Sequence, residues 1–237
     1  MMKKIGIIGG LSWKSTIEYY RIINQEVCEQ LGGLNSAQLV MESYNFDEIE
    51  SLQRNGHWGE IAEILIDSAK KLVNSGADVI IIATNTLHKL APQVQKEIDV
   101  PIFHIADATA REILRLKYKK VALLGTKYTM QEDFYKDKLI NEYNIDVITP
   151  NIVGQEIINN IIFDELCKGV VSEASRDTIL YMIDSCKKQG AQAVVLGCTE
   201  LPNLIKSASL PLLNTAEIHS KGVVEYSLSE RKERMRA

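Results

Sequence analysis

One segment occurs twice in this chain, and that constrains the fold more than any other feature. Gly76 to His88 reads GADVIIIATNTLH; 114 positions later, Gly190 to Pro202 reads GAQAVVLGCTELP. Gly-Ala opens both copies and a Leu matches near both ends. The runs Val79 to Ile82 and Ala193 to Leu196 are short, continuous and rich in β-branched residues, the pattern of strands buried on both faces of a parallel sheet. Each run leads into a polar turn, where α/β proteins place their chemistry. Thr84, Asn85 and Thr86 occupy the first turn and Cys198, Thr199 and Glu200 the second, which makes Thr84 and Cys198 equivalent positions of two related halves.

Two further pairs fall in the same order. Lys3 to Gly10 (KKIGIIGG) aligns with Lys119 to Thr126 (KKVALLGT) at an offset of 116, and Val100 to Asp107 (VPIFHIAD) with Leu210 to Glu217 (LPLLNTAE) at an offset of 110. One pair alone is open to the reading that any two buried strands look alike; three collinear pairs favour duplication. At 237 residues the chain is long enough for one large domain or two of about 110 to 120 residues. No Gly/Ser-rich or Pro-rich linker separates the halves. We therefore expect a tight interface, with the strand-end turns facing each other across it.

Charge and cysteine usage exclude several function classes. The formal net charge is −4 and the sequence pI near 5.7, so there is no basic footprint for nucleic acid. No apolar run approaches the roughly 20 residues of a membrane span, and the stretch after Lys4 is too short for a secretory signal. A cytoplasmic protein is expected. Cys28, Cys167, Cys186 and Cys198 show no CxxC or paired spacing, which in a reducing compartment means free thiols rather than disulfides or a zinc site. Cys28, Cys167 and Cys186 lie in helical patterns and read as small core residues.

Along the chain, Lys4 to Gly10 is a strand ending in two glycines, followed by a helix start rich in Ser and Thr. This is a natural anion site, or else a plain tight turn with a capped helix. The spacing is not GxGxxG and no GK[ST] follows, so neither dinucleotide nor nucleoside triphosphate is indicated. Ile17 to Gln30 predicts a helix, Ala37 to Glu42 a strand, and Asn45 to Trp58 a polar loop or short helix. From that segment Gln53 or Arg54 is a candidate for a substrate carboxylate, although a solvated loop would read the same. Glu60 to Ser75 is an amphipathic helix with Gly76 at its C′ position.

Pro92 to Ile98 predicts a helix, Val100 to Ile105 a strand and Thr109 to Leu116 a helix. In the second half, Gln131 to Tyr143, Ile152 to Val171 and Ser175 to Gln189 read as helices, Leu210 to Leu213 as the last strand and Thr215 to Glu230 as the last helix. The charged stretch Ser229 to Ala237 reads as a frayed, solvated end. His57, His104 and His219 read as structural or surface residues. A His at 88 is either a local hydrogen-bonding group or one that orients or acidifies a catalytic neighbour.

Together KKIGIIGGLSWKSTIEYYRIIN, LQRNGHW, ATNTLHKLAP and VLGCTELP resemble the aspartate/glutamate racemase family of cofactor-independent amino-acid racemases, over essentially the whole chain. The resemblance implies two pseudo-symmetric α/β domains of flavodoxin-like type with parallel sheets, an active site in the cleft between them, a homodimer, no cofactor and no metal. Residues 1–98 with 210–237 are expected to form the first domain and 99–209 the second. The family's second catalytic cysteine matches Cys198. Its first falls on Thr84, a departure similar to a subgroup with Thr-Asn-Thr at that turn that favours L-enantiomers. The resemblance places Leu11, Gln53, Asn85 and Thr86 around the substrate carboxylates, with Thr199 on the α-carboxylate. Lys168 is assigned as the assisting cation, although a lysine before a helix-ending glycine also serves as a dipole partner.

The chemistry can be stated without the family. Racemisation needs one group to remove the Cα proton and another to return a proton to the opposite face. A cysteine accepts a proton only as thiolate, and its free pKa is about 8.5. Lowering that to about 7 needs roughly 2 kcal/mol of anion stabilisation, within reach of a helix N-terminus or a nearby cation, and the helix start after Cys198 is the right place for it. A threonine hydroxyl is no such base; Thr84 donates a hydrogen bond or relays a proton through water, so unequal catalysis of the two directions is expected. The competing class is a single-thiol relative: a decarboxylase or isomerase of dicarboxylates, or a binding protein without turnover.

Overall fold

The computed structural model describes residues 2–236, and from residue 230 onward only the backbone. The chain divides into two units. The first comprises residues up to His104 together with those from His219 on; the second is Ile105–Ile218.

In the first unit, strands β1 (Ile5–Gly9), β2 (Leu39–Ser43) and β3 (Val79–Ile82) form a parallel sheet in the order β2-β1-β3, with Ile5 opposite both Leu39 and Val79. Helices α1 (Trp13–Leu31), α2 (Phe46–Arg54), α3 (Trp58–Asn74) and α4 (Ala91–Gln95) connect or follow these strands. Every residue of β1 and β3 is buried, as their unbroken apolar sequences require, whereas edge strand β2 alternates between half-buried and exposed. Helix α3 turns Ile61, Leu65, Ser68 and Leu72 inward, the i, i+4, i+7 spacing of one helical face.

The second unit contains α5 (Ile105–Arg115), β4 (Lys120–Gly125), α6 (Lys127–Gln131), α7 (Asp133–Asp137), β5 (Asp146–Ile148), α8 (Ile152–Asn160), α9 (Glu173–Lys188), β6 (Ala193–Gly197), α10 (Leu201–Leu204) and β7 (Leu212–Asn214). Its sheet is parallel in the order β5-β4-β6-β7. The division between the units falls within α11 (Thr215–Arg236).

The two units repeat each other hydrogen bond by hydrogen bond. Asp78 N–H donates to the Lys4 carbonyl and Gln192 N–H to the Lys120 carbonyl, each at 2.8 Å. Helix α3 ends with Gly76 N–H on Val73 O (2.8 Å) and Ala77 N–H on Leu72 O (3.1 Å); α9 ends with Gly190 on Lys187 (2.9 Å) and Ala191 on Cys186 (3.1 Å). Gly76 and Gly190 sit at φ +84° and +94°, which glycine alone adopts without strain. Ile80 N–H donates to Pro101 O at 2.9 Å, and Val194 N–H to Pro211 O at 2.8 Å.

That last pair corrects the expected boundaries. The segment read as a strand at Val100 to Ile105 makes a single parallel bridge, Ile80 to Ile102, within the first unit. Leu212–Asn214 pairs with β6 in the second sheet. Residues 99–104 therefore belong with the first unit and 210–218 with the second, because backbone pairing, rather than the end of the repeat, decides which side of the division each falls on. The helix expected over Gln131 to Tyr143 is broken into α6, α7 and a π-helical turn, Lys138–Glu142. The one expected over Ile152 to Val171 passes from α8 into a π-helical turn, Ile161–Glu165, and a 3-10 turn, Leu166–Lys168. Helix α11 runs on to Arg236; Ala237 and the side chains of the charged end lie outside the described residues.

Candidate active site

In the first unit, the chain leaves β3 through Ala83, whose N–H donates to Ile8 O at 2.9 Å, and turns at Thr84, whose N–H donates to Ile82 O at 2.8 Å. Thr84 is half-buried; Asn85 and Thr86 are buried at 2 % and 5 % exposure, and a 3-10 turn follows over Thr86–Leu90. His88 is buried at 1 % and its Nδ1 lies 2.7 Å from the Thr84 carbonyl. A carbonyl only accepts, so Nδ1 carries the proton. Nε2 is then a lone-pair acceptor, and it has no hydrogen-bond partner among the described residues.

Two more histidines pack on His88 within this unit. The His104 ring stands edge-on with centroids 4.6 Å apart, and His219 lies at 5.4 Å. His219 donates from Nε2 to Phe103 O at 2.6 Å, so its Nδ1 accepts from the Tyr19 hydroxyl at 2.9 Å. Burial holds His219 down to about 3. Burial, with His104 and His219 adding to it, also holds His88 well below the ordinary histidine range, against the favourable pull of the Thr84 and Asn85 carbonyls. Both rings are neutral at physiological pH. Sequence reading missed this cluster: only the spacing of Thr84 and His88, one helical turn, was legible.

The β1 turn is built on the same core. Gly10 adopts φ +75°, and a Cβ there would lie 2.2 Å from Tyr44 N and O. Its N–H donates to Thr16 Oγ1 at 2.8 Å, and that hydroxyl donates to Ser12 O at 3.0 Å. Leu11, Leu87 and Ile49, one turn before Gln53, share one apolar cluster. Gln53 is buried on the inner side of α2, whereas Arg54 points outward to Glu50 at 3.7 Å. His57 caps the approach to α3 and lies 2.9 Å from Glu60 at the surface.

In the second unit, β6 ends at Gly197 and delivers Cys198 and Thr199, both half-buried, and Glu200, buried at 2 % exposure. Leu201 N–H donates to the Cys198 carbonyl at 3.2 Å. The N–H groups of Glu200 and Leu201 also face the Cys198 sulfur and favour its anion, as expected of the helix start. They do not prevail. Burial, the Glu200 carboxylate and the Cys167 thiol raise the Cys198 pKa well above its ordinary value, so the expected drop toward neutrality is corrected: at rest Cys198 is a thiol. Lys168, on the 3-10 turn that also carries Cys167, is 65 % exposed and pairs with Asp164 at 3.4 Å.

A family model, Asp/Glu/Hydantoin racemase, matches residues 8–221. The chain belongs to the Asp/Glu/hydantoin racemase family. A solved Yersinia pestis structure, a candidate Asp/Glu racemase, is 45 % identical with a TM-score of 0.89, over 96 % of this chain and 100 % of its own. An aspartate racemase homologue from Pyrococcus horikoshii is 39 % identical with a TM-score of 0.82, over 95 % and 99 %. A broad-specificity amino-acid racemase of Bacillus subtilis is 24 % identical over 95 % of this chain and 98 % of its own.

In this member of the Asp/Glu/hydantoin racemase family, Leu11, Gln53, Thr84, Asn85 and Thr86 lie on the first unit, and Lys168, Cys198 and Thr199 on the second. Among the described residues, no group of three or more His, Cys, Asp or Glu is placed to hold a metal ion, and no helix is long and apolar enough to cross a membrane. Of the remaining cysteines Cys186 is buried, as expected of a core residue, and Cys167 is half-buried beside Cys198. Cys28 is exposed on α1 rather than part of the core, because it lies outside the buried face of that helix, which runs through Tyr19, Ile23 and Val27.

Proposed function

We propose that this protein is a cofactor-independent racemase of acidic amino acids, aspartate or glutamate, that works through its two equivalent strand-end turns. Cys198 is the principal acid/base and Thr84 serves the other face of Cα. The reading is carried by one observation: Thr84 and Cys198 stand at the same place in two hydrogen-bonded repeats, each just beyond a buried strand that ends beside the glycine turn of its neighbour. Two-sided proton chemistry needs two such positions.

The Cys198 thiolate takes the Cα proton and the electron pair stays on carbon, delocalised into the α-carboxylate. A proton then reaches the opposite face through the Thr84 hydroxyl, replenished from water. In the reverse sense water held by the Thr84 hydroxyl takes the Cα proton and the resting thiol donates to the opposite face; between turnovers Cys198 exchanges its proton with water. Asn85, Thr86, the Leu11 turn, Gln53, Thr199 and Lys168 supply donors to the carboxylates. Because burial and Glu200 disfavour the thiolate, the step in which Cys198 acts as base speeds up as pH rises into the alkaline range.

Enantiomers have equal free energies in solution, so kcat/KM is the same in both directions. The unequal turns show instead in kcat and KM separately, with the L-enantiomer favoured, and in how readily each enantiomer exchanges its α-proton without inverting. Incubation with L-aspartate or L-glutamate in deuterated water, following Cα labelling and optical rotation together, tests the reading. Labelling with loss of rotation supports it. Labelling with full retention points to a one-sided decarboxylase-like or isomerase-like relative, and neither change points to a binding protein.

A further inference from the structure

We propose that His88 is a positioning residue for the Thr84 half of the reaction: its Nδ1–H, fixed on the Thr84 carbonyl, holds the turn that presents the Thr84 hydroxyl. This rests on the racemase reading above. The equivalent turn shows what the imidazole replaces. There the Cys198 carbonyl is taken by a backbone amide, that of Leu201 at 3.2 Å, and the position matching His88 is Pro202. In the first turn the matching carbonyl is taken by a side chain at 2.7 Å.

A packing role alone does not account for the choice of residue. A buried acceptor without a donor is unfavourable, and among the described residues His88 Nε2 is one; an aliphatic side chain of similar size would fill the space without it. What histidine adds is the single bond from Nδ1. The surroundings keep that bond in one form. Phe103 and Tyr19 fix the His219 ring through both its nitrogens, and His219 and His104 stand edge-on against His88. With the ring held neutral, Nδ1–H stays on the Thr84 carbonyl at 2.7 Å, with the Asn85 carbonyl also favouring it, and has no competing protonation state.

Asparagine can place an amide N–H where Nδ1–H stands, whereas glutamine reaches only the Nε2 position. The experiment compares His88→Asn, His88→Gln and the unmodified protein, reading inversion by optical rotation. It also reads deuterium exchange into the recovered enantiomer whose Cα–H is served by Cys198. In His88→Gln, inversion should fall about 10- to 100-fold while Cys198-side exchange stays within about twofold; His88→Asn should keep inversion within about threefold. Parallel loss of exchange and inversion, or equal loss in both variants, overturns the positioning role. Absence of exchange and inversion in the unmodified protein overturns the racemase reading and this role with it. Should the variants not fold, nitrogen NMR of the unmodified protein decides: His88 is expected as the Nδ1–H tautomer at neutral pH, and an Nε2–H tautomer or an imidazolium rules the proposal out.

Discussion

The turn at Thr84 and the turn at Cys198 hang from equivalent strand ends, yet they are secured by different means and carry groups of opposite reactivity. The first is tied by an imidazole buried in a cluster of three histidines and offers a hydroxyl. The second is tied by its own backbone and offers a thiol, which burial and then the nearby Glu200 carboxylate keep protonated. Duplication thus conserves backbone hydrogen bonding while leaving side chains free to diverge, since the strand register depends on amides and carbonyls that every residue but proline supplies in full.

The sharpest test of the difference is Cys198→Ser. A hydroxyl does not ionise at accessible pH, so both exchange and inversion should fall by about 10²- to 10⁴-fold; turnover at the original rate would remove Cys198 from its role. Acid should separate the units next. All four histidines, His57, His88, His104 and His219, lie in the first unit. An unfolded histidine takes up a proton below about 6.5, while folded His219 resists until about 3. The unfolded state therefore binds more protons across that window and stability falls as pH falls, by about 1.4 kcal/mol per pH unit for each histidine held neutral. Amide hydrogen exchange should show β1 and β3 losing protection before β4 and β6; simultaneous loss would contradict the assignment.

Gly10→Ala probes a position where the repeats differ in backbone. Gly10 is left-handed and crowded by Tyr44, whereas the aligned Thr126 is extended and caps α6 through Thr129 N–H. The substitution should cost at least about 2 kcal/mol in denaturant unfolding. Thr84→Cys would make the turns chemically alike. Exchange at the Thr84 face should rise on the order of tenfold, bringing the two enantiomers' exchange rates together; no change would mean that the hydroxyl position is not at the reacting carbon. The smallest effect is expected from Lys168→Met. Losing its exposed pair with Asp164 should change stability by less than about 0.5 kcal/mol, while KM for the acidic substrate rises with kcat nearly unchanged.

Much of this was legible in the residues. The runs VIII and AVVLG read as buried parallel strands, and Gly76 and Gly190 as helix ends, because burial on both faces favours β-branched residues and a left-handed φ favours glycine. The halves' alignment put Thr84 opposite Cys198. Other features were not legible. Val100 to Ile105 has strand composition but pairs at one residue, and the helices over Gln131 to Tyr143 and Ile152 to Val171 break into π and 3-10 turns, which local periodicity does not distinguish from α.

By itself, then, the sequence determined the repeated strand-turn scaffold and the parallel sheets, which follow from hydrophobic pattern and glycine placement along the chain, and, through the resemblance of its motifs, the family. The tertiary structure decided which titratable groups meet. His219 reaches Phe103 across 116 residues, and Cys167 meets Cys198 from a separate segment. Ionisation follows burial and the charges within a few ångströms, and those neighbours are set by packing rather than by order in the chain. That is why a thiol placed at a helix start, expected to titrate closer to neutrality, is held as an acid.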